Sequence, residues 1–381
     1  MKITEIIATE VLVPANPGVV NSQAVDKPLH KLSSAGQQAW SKQFDEMPKC
    51  ILQVKTDTGL IGLGELYRDH DWRVIEAIAQ ILIGMDLNQI CLQNLPIAKC
   101  REYDGFECAI WDLFAKSKNI SIADLLGGAV RDKIWVSAWS GHRTVDDLAE
   151  LASDYESRGY SCLKFKCDME DDVVAWCREI KKAAPTMQVI LDPNERWSYR
   201  AEAMRRVKEL EAIGNVLCLE DPIPQWQLDD FATLRSQSSI PIVLHVSLPY
   251  AAHGQKISNA VEAIRRNAVD GFNFNGGIAD FKQLGHLAES AQLPYWHGSE
   301  VDLGILEALY LHKCASAPGC TWPSDVFGRL IRSHDLLTEP LQINPPYAQL
   351  PSNGAGLGVI LSEEALQRFA QQTRTFNTFK N

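Results

Sequence analysis

The sequence predicts an α/β protein: a TIM-like (β/α) barrel carrying an α+β capping domain built from both ends of the chain. Three observations point there. From Trp135 onward, short apolar runs recur about every 25 residues, each followed by a stretch with helical apolar spacing, and eight such units close a barrel. Several runs end in charged side chains, as in Leu163-Lys164-Phe165-Lys166, Val189-Ile190-Leu191-Asp192 and Val216-Leu217-Cys218-Leu219-Glu220. Barrel chemistry gathers at such strand C-termini. Residues 1–130 lack this alternation and read as a small sheet followed by helices, an α+β unit.

The first strand runs from Ile3 to about Pro14. A polar loop from Asn16 to Met47 follows and carries His30 and Trp40, which could close over a substrate. Cys50–Lys55 and Leu60–Leu63 flank Asp57-Thr58-Gly59, a hairpin signal. Helical spacing from Trp72 to Lys118 is strongest over Gly105–Ala115. Candidate barrel strands are Trp135–Trp139, Cys162–Lys166, Val189–Asp192, Val216–Glu220, Ile242–His245, Gly271–Phe274, Tyr295–Gly298 and, less clearly, Thr321–Val326. Residues 131–338 thus form the barrel. Residues 339–381, with an amphipathic helix over about Ser362–Gln371, return to the capping domain.

The chain has 381 residues, enough for two packed units with a sizeable core. Its net charge of −11 argues against nucleic acid or an acidic membrane as partner. A small anionic substrate remains compatible, because a metal and lysines can reverse the field locally. No apolar run approaches the roughly 18 residues that would cross a bilayer, and the N-terminus lacks the pattern of a signal peptide. Ten scattered cysteines without a Cys-x-x-Cys point to the reducing cytoplasm rather than to a disulfide framework.

Along a strand, Lys164 and Lys166 share one face while Phe165 takes the other. Two neighbouring ammonium groups lower each other's pKa and burial lowers both further, so a lysine here can act as a general base. Asp192 and Glu220 lie at the ends of the next two staves. Asn194 follows Asp192 by two residues on the same face.

Taken in order, these pieces resemble the enolase superfamily in its mandelate racemase and muconate lactonizing branch. The matching stretches are the hairpin Lys55–Glu65, Ala109-Ile110-Trp111-Asp112-Leu113 leading to Leu125-Leu126-Gly127-Gly128, Lys164-Phe165-Lys166, Leu191-Asp192-Pro193-Asn194, Leu219-Glu220-Asp221-Pro222, Gly276-Gly277 and Gly356-Leu357-Gly358-Val359. The resemblance implies removal of the proton alpha to a carboxylate, with a divalent cation holding the enediolate, as is general for such sites. It casts Lys166 as base, Lys164 as its electrostatic neighbour at the substrate carboxylate, Asp192 and Glu220 as metal ligands, and Asn194 as a partner of metal-linked water or substrate. It also implies a small carboxylate substrate and a homo-oligomer joined through capping domains.

Three positions depart from the family pattern. On the fifth strand His245 stands where a third carboxylate is usual. Mg²⁺ is the first expectation for the cofactor, but Mg²⁺ prefers oxygen, whereas imidazole suits Mn²⁺ or another transition metal. His245 is then a ligand, a hydrogen-bond partner of substrate or of another ligand, or packing. On the sixth strand Asn273 or Asn275 occupies the place of a lysine, which disfavours a two-lysine racemase and makes both candidates for substrate binding. On the seventh, His297 or Glu300 is the candidate second catalytic group, with Asp270 a possible supporter of His297. His142, after the first strand, is a candidate pocket residue.

The expected function is an acid-sugar (hydroxy-acid) dehydratase, Lys166 taking the alpha proton and His297 helping the beta hydroxyl leave. A racemase or epimerase and a cycloisomerase are the alternatives within the superfamily. A catalytically lapsed carboxylate-binding barrel is the alternative from another class.

Overall fold

The computed structural model describes residues 1–25, 48–246, 256–352 and 354–377, so His30 and Trp40 lie outside the described residues. In the capping unit, β1 (Ile3–Val11), β2 (Lys49–Thr56) and β3 (Ile61–Leu66) pair antiparallel in that order. Helix α1 (Trp72–Leu82) starts at Asp71, whose side chain accepts from the Arg73 N–H, and buries Ile75, Ile78, Ala79 and Leu82 as one stripe. Helix α2 (Tyr103–Lys118) lies directly on β3, because glycine leaves no side chain between the backbones. A Cβ on Gly62 would stand 2.2 Å from Ala109 O, and one on Gly64 2.2 Å from Gly105 O. Short α3 (Ile122–Leu125), held by a Ser121/Asp124 capping box, leads out of the unit.

The barrel follows as β4 (Lys133–Trp135), β5 (Ala138–Ser140), α4 (Val145–Ser157), β6 (Cys162–Lys166), α5 (Val173–Ala183), β7 (Gln188–Asp192), α6 (Arg200–Glu211), β8 (Val216–Glu220), α7 (Leu228–Gln237), β9 (Ile242–Val246), α8 (Lys256–Arg265), β10 (Gly271–Phe274), α9 (Ile278–Ser290), β11 (Tyr295–His297) and α10 (Gly304–Ala315). Strands β5 to β11 form one seven-stranded parallel sheet in sequence order, a half-barrel. Two expectations are corrected. The first stave is split into β4 and β5. Thr321–Val326 is no regular strand, although the segment around it spans the gap: Asp325 N donates to His297 O (2.8 Å) and Ser324 N to Trp135 O (2.8 Å).

Alternation along the staves sorts their side chains. Cys162, Ile190, Cys218, Val243 and Trp296 pack together inside. Leu163, Phe165, Val189, Leu191, Leu219, Ile242, Leu244, Phe272, Phe274 and Tyr295 pack outward in the larger core that includes residues of the surrounding helices. Short α11 (Gly328–Ile331) and the pair β12 (Ile343–Asn344) and β13 (Tyr347–Gln349), which joins β4, then carry the chain back. Helix α12 (Glu363–Phe369) ends earlier than the sequence suggests, and β14 (Ala370–Asn377) pairs antiparallel with the outer side of β1. Gln371, Gln372 and Thr373 are exposed in that edge strand, so no apolar alternation announces it. All ten cysteines are free, and among the described residues no helix is long and apolar enough to cross a membrane.

Two buried carboxylates of the capping unit dock it on the barrel by accepting from helix N-termini. Glu65 of β3 takes the Leu303 and Leu306 N–H groups (2.8 and 3.1 Å) at the start of α10. Glu107 of α2 takes those of Ile278 and Ala279 (2.5 and 3.2 Å) at the start of α9. Burial, with Asp104 beside it, pushes the Glu107 carboxyl up to about 8 from its ordinary 4.5, against the opposing pull of Lys99 and those N–H groups. The folded chain therefore keeps a proton that the unfolded chain releases, and stability falls as pH rises from about 4.5 to about 8. Glu107→Gln removes that proton uptake. Urea titrations at pH 5 and pH 8.5 are expected to show a pH slope smaller by up to roughly 1.4 kcal/mol per unit. An unchanged slope would contradict the assignment.

Candidate active site

Because Leu163 and Phe165 face the outer core, with Phe165 edge-on to Trp176 of α5 (5.5 Å), both lysines of β6 enter the barrel. Lys166 Nζ donates to Asp192 Oδ2 (2.6 Å) and Asn194 Oδ1 (2.8 Å). Lys164 Nζ lies 2.8 Å from Glu220 Oε2, 2.9 Å from Asp325 Oδ2 and 3.4 Å from Asp192 Oδ2. The two lysines are not tuned alike, which corrects the expectation of a lowered pKa at Lys164 and keeps it at Lys166. Burial pulls Lys164 down, but Asp325, Glu220 and Asp192 together outweigh it and hold its ammonium well above the ordinary lysine range. At Lys166 burial prevails over the Asp192 charge, and the Lys164 charge adds to it, so its pKa lies below the ordinary value. The surroundings thus favour the charged form at Lys164 and the neutral form at Lys166.

Asp325 is the residue sequence reasoning passed over. It ends the least regular stave, and the available signal was its place as the carboxylate of the eighth candidate strand. Backbone strain gathers around the same centre: Asn194 (φ +46°), Glu195 (+67°) and Asp221 (+43°), just past β7 and β8, are non-glycine residues in the left-handed region. Asp221, raised well above the ordinary range by burial and by Glu220, accepts from His245 N (2.9 Å) and Gln225 Nε2 (2.8 Å). It braces the end of β9 against β8.

Across from Lys166 the site is lined by amides. Asn273 Nδ2 donates to Glu220 Oε1 (2.9 Å), which turns its Oδ1 toward Gly298. A Cβ on Gly298 would fall 2.0 Å from Asn275 Oδ1 and 2.4 Å from Asn273 Oδ1, so glycine makes room for both side chains.

His297 does not join them. Trp296 takes the inward position of β11, and alternation sends the next residue outward. The His297 ring is buried against Tyr310 of α10 (3.8 Å between centroids) and Phe281 of α9 (4.9 Å), with Nδ1 donating to Gly298 O (2.6 Å). Burial and the Lys313 charge hold it well below the ordinary histidine range. Glu300 is engaged elsewhere too, accepting from Arg101 Nη2 (2.6 Å) with Arg68 Nε at 3.7 Å, so it ties the capping unit to the barrel mouth. Asp270 pairs with Arg235 (2.7 Å) ahead of β10, at the end of the strand remote from the site.

The chain as a whole is similar to known proteins. Residues 147–365 fit the family model "Enolase C-terminal domain-like", and residues 37–127 fit "Mandelate racemase / muconate lactonizing enzyme, N-terminal domain". The chain belongs to the mandelate racemase and muconate lactonizing branch of the enolase superfamily. It is 26% identical over 347 residues to a chloromuconate cycloisomerase of Pseudomonas sp. strain P51, covering 84% of this chain and 91% of that one. It is 24% identical over 349 residues to an N-succinyl-L-Arg/Lys racemase of Bacillus cereus, covering 85% and 90%. The crystal structure of the N-succinyl Arg/Lys racemase from B. cereus superposes with a TM-score of 0.82 at 21% identity, covering 99% of this chain and all of that one.

Members of this superfamily use a divalent cation, and of the candidate ligands here the structure brings Glu220 and His245 together. His245 Nδ1 stands 3.1 Å from Glu220 Oε1, and its Nε2 is buried without a hydrogen-bond partner. Glu220 and His245, with Asp192, are the residues that would hold such a cation, which would supply positive charge at this point. Burial works against ionisation of Glu220, but Lys164 and His245 hold its carboxyl below the ordinary range, as an anionic ligand requires.

Proposed function

We propose that the protein is a single-base isomerase of a small carboxylate, of the cycloisomerase type. The observation that carries this reading is the asymmetry of the site: Lys166 on one side, and Asn273, Asn275 and Gly298 rather than a second lysine or imidazole on the other. Asp192, Glu220 and His245 are the residues that would hold the cation, which when bound supplies positive charge to the substrate carboxylate. Lys164, paired with Asp325 as well as with Glu220 and Asp192, would add positive charge where negative charge builds during proton loss. Lys166 gives or takes the proton at the alpha carbon. Asn194, hydrogen-bonded to Lys166, orients its ammonium.

Cycloisomerisation needs that one proton and no assisted leaving group, and cycloisomerases are among the relatives. The dehydratase reading relied on His297 to help a hydroxyl depart, and His297 faces the outer core. Two-base racemisation would need a base where the amides stand. The test is to offer muconate, chloromuconates, N-acyl amino acids and hydroxy acids in D₂O with Mg²⁺ and with Mn²⁺, following products by NMR. A lactone carrying one deuterium on a single face of the alpha carbon is expected. Keto-acid formation from a hydroxy acid, or deuterium on both faces, would replace this reading with dehydration or racemisation.

A further inference from the structure

We propose that Cys314 and Cys320 are an oxidisable pair, which hydrogen peroxide closes to a disulfide and which thereby loosens the stave bearing Asp325. Cys314 lies in the last turn of α10 and Cys320 six residues on; both thiols are free and buried. They meet at one oxygen, Cys314 Sγ lying 3.5 Å from Ser324 Oγ and Cys320 Sγ 3.8 Å from it. The same Oγ accepts from His297 N (3.2 Å), so an amide and two thiols surround the hydroxyl. One arginine clasps the segment between the cysteines. Arg131 Nη1 donates to Cys314 O (2.9 Å), Ala317 O (2.7 Å) and Cys320 O (3.0 Å), and Nη2 donates to Pro318 O (2.8 Å). Two turns fold the segment back, Ala317 N donating to Cys314 O (3.4 Å) and Cys320 N to Ala317 O (3.1 Å). A disulfide forms only between residues whose backbones already lie close, and this clasp keeps them so.

The surroundings divide the labour between the sulfurs. Burial would raise the Cys314 thiol, but Cys320 and Ser324, with the Lys313 and Arg131 charges, hold it below the ordinary range. Cys320 is raised well above that range, first by Cys314 and then by burial. Cys314 is therefore the attacking thiolate. It displaces hydroxide from the peroxide, which takes up a proton and leaves as water, and a sulfenic acid remains. The Cys320 sulfur then attacks the Cys314 sulfur and gives up its proton, and the hydroxyl departs as a second water. Two thiols lose two electrons in all, and one peroxide becomes two waters. The product withdraws both sulfur partners from Ser324. The next residue, Asp325, donates through its N–H to His297 O (2.8 Å) and accepts from Lys164 Nζ (2.9 Å), so the change reaches the lysine. Its consequence for Lys164 rests on the function proposed above; the sulfur chemistry does not.

The test treats the full chain with hydrogen peroxide, removes the oxidant, alkylates in denaturant and digests with trypsin, all without substrate. Cleavage after Lys313 and Arg329 gives one peptide, residues 314–329, that carries both cysteines and no others. Wild type is expected to yield it unalkylated and lighter by two hydrogens, with dithiothreitol restoring alkylation, while Cys108 and Cys177 alkylate throughout. Cys320→Ser is expected to stop at a Cys314 sulfenic acid that dimedone traps. Hydrogen exchange at the Asp325 amide is expected to quicken in the oxidised chain and to slow again on reduction. Full alkylation of both cysteines, added oxygen without the bond, or a bond from either to another cysteine overturns the proposal. A bond formed without faster exchange at Asp325 overturns the coupling to the stave. Should Cys320→Ser fail to fold, the wild-type peptide decides.

Discussion

Lys166→Ala is expected to slow solvent exchange of the alpha proton by roughly 10³-fold, within the 10²–10⁴-fold that a positioned base contributes. Lys166 is one of two buried amines on β6, and only its pKa is drawn down, burial outweighing Asp192. Lys164 is not expected to substitute, because Asp325, Glu220 and Asp192 raise its pKa. The variant should fold, since Asp192 retains Lys164 at 3.4 Å and the N–H of Asn194 at 3.1 Å. Lys166→Arg should be as inactive, because a guanidinium does not release its proton near neutral pH. Proton NMR in D₂O on an accepted acid measures the rate, with circular dichroism as the check on folding. Exchange within tenfold of wild type would remove Lys166 from the role of base.

The largest effect on stability is expected where the capping unit meets the barrel, at Lys49. Its ammonium is 1% exposed on β2 and lies between the carboxylates of Glu65, at 3.2 Å, and Asp302. Burial would raise Asp302, but Lys49 and the Tyr310 hydroxyl hold it down to about 2, so it stays ionised. Lys49→Met fills similar space but leaves two buried carboxylates facing each other. Breaking a buried pair in this way costs about 3–5 kcal/mol, and for a chain of this length that is a melting-point fall of roughly 5 °C. Lys49→Met with Glu65→Gln should recover part of the loss, because one uncompensated charge is gone. A single variant that melts within about 1 °C of wild type would show the pair to be dispensable.

Much of the centre was legible in advance for a simple reason. A strand alternates with period two, and a βα unit repeats at a nearly constant length. Lys164, Lys166, Asp192 and Glu220 had to converge once the staves were placed, and they do so within one hydrogen-bonded group. His245 and Asn273 reach Glu220 by the same logic. The inference failed at His297 because β11 has three residues and aromatic or imidazole side chains on both faces. Period two says that neighbours part company, but not which one goes in. The inner cluster of Cys162, Ile190, Cys218 and Val243 takes the indole, and the imidazole is sent out against Tyr310 and Phe281.

By itself, then, the order of apolar runs and charged ends determined the barrel, the face carrying the amines and the staves bearing acids, because those follow from local periodicity. Tertiary structure alone decided three things. It surrounded Lys164 with carboxylates and so kept it charged, it assigned Glu65 and Glu107 to helix N-termini of another unit, and it brought Asp325 in from a stave without regular pairing. Each depends on which groups meet across long stretches of chain, and the field at a buried charge is set by those neighbours rather than by the residues beside it in sequence.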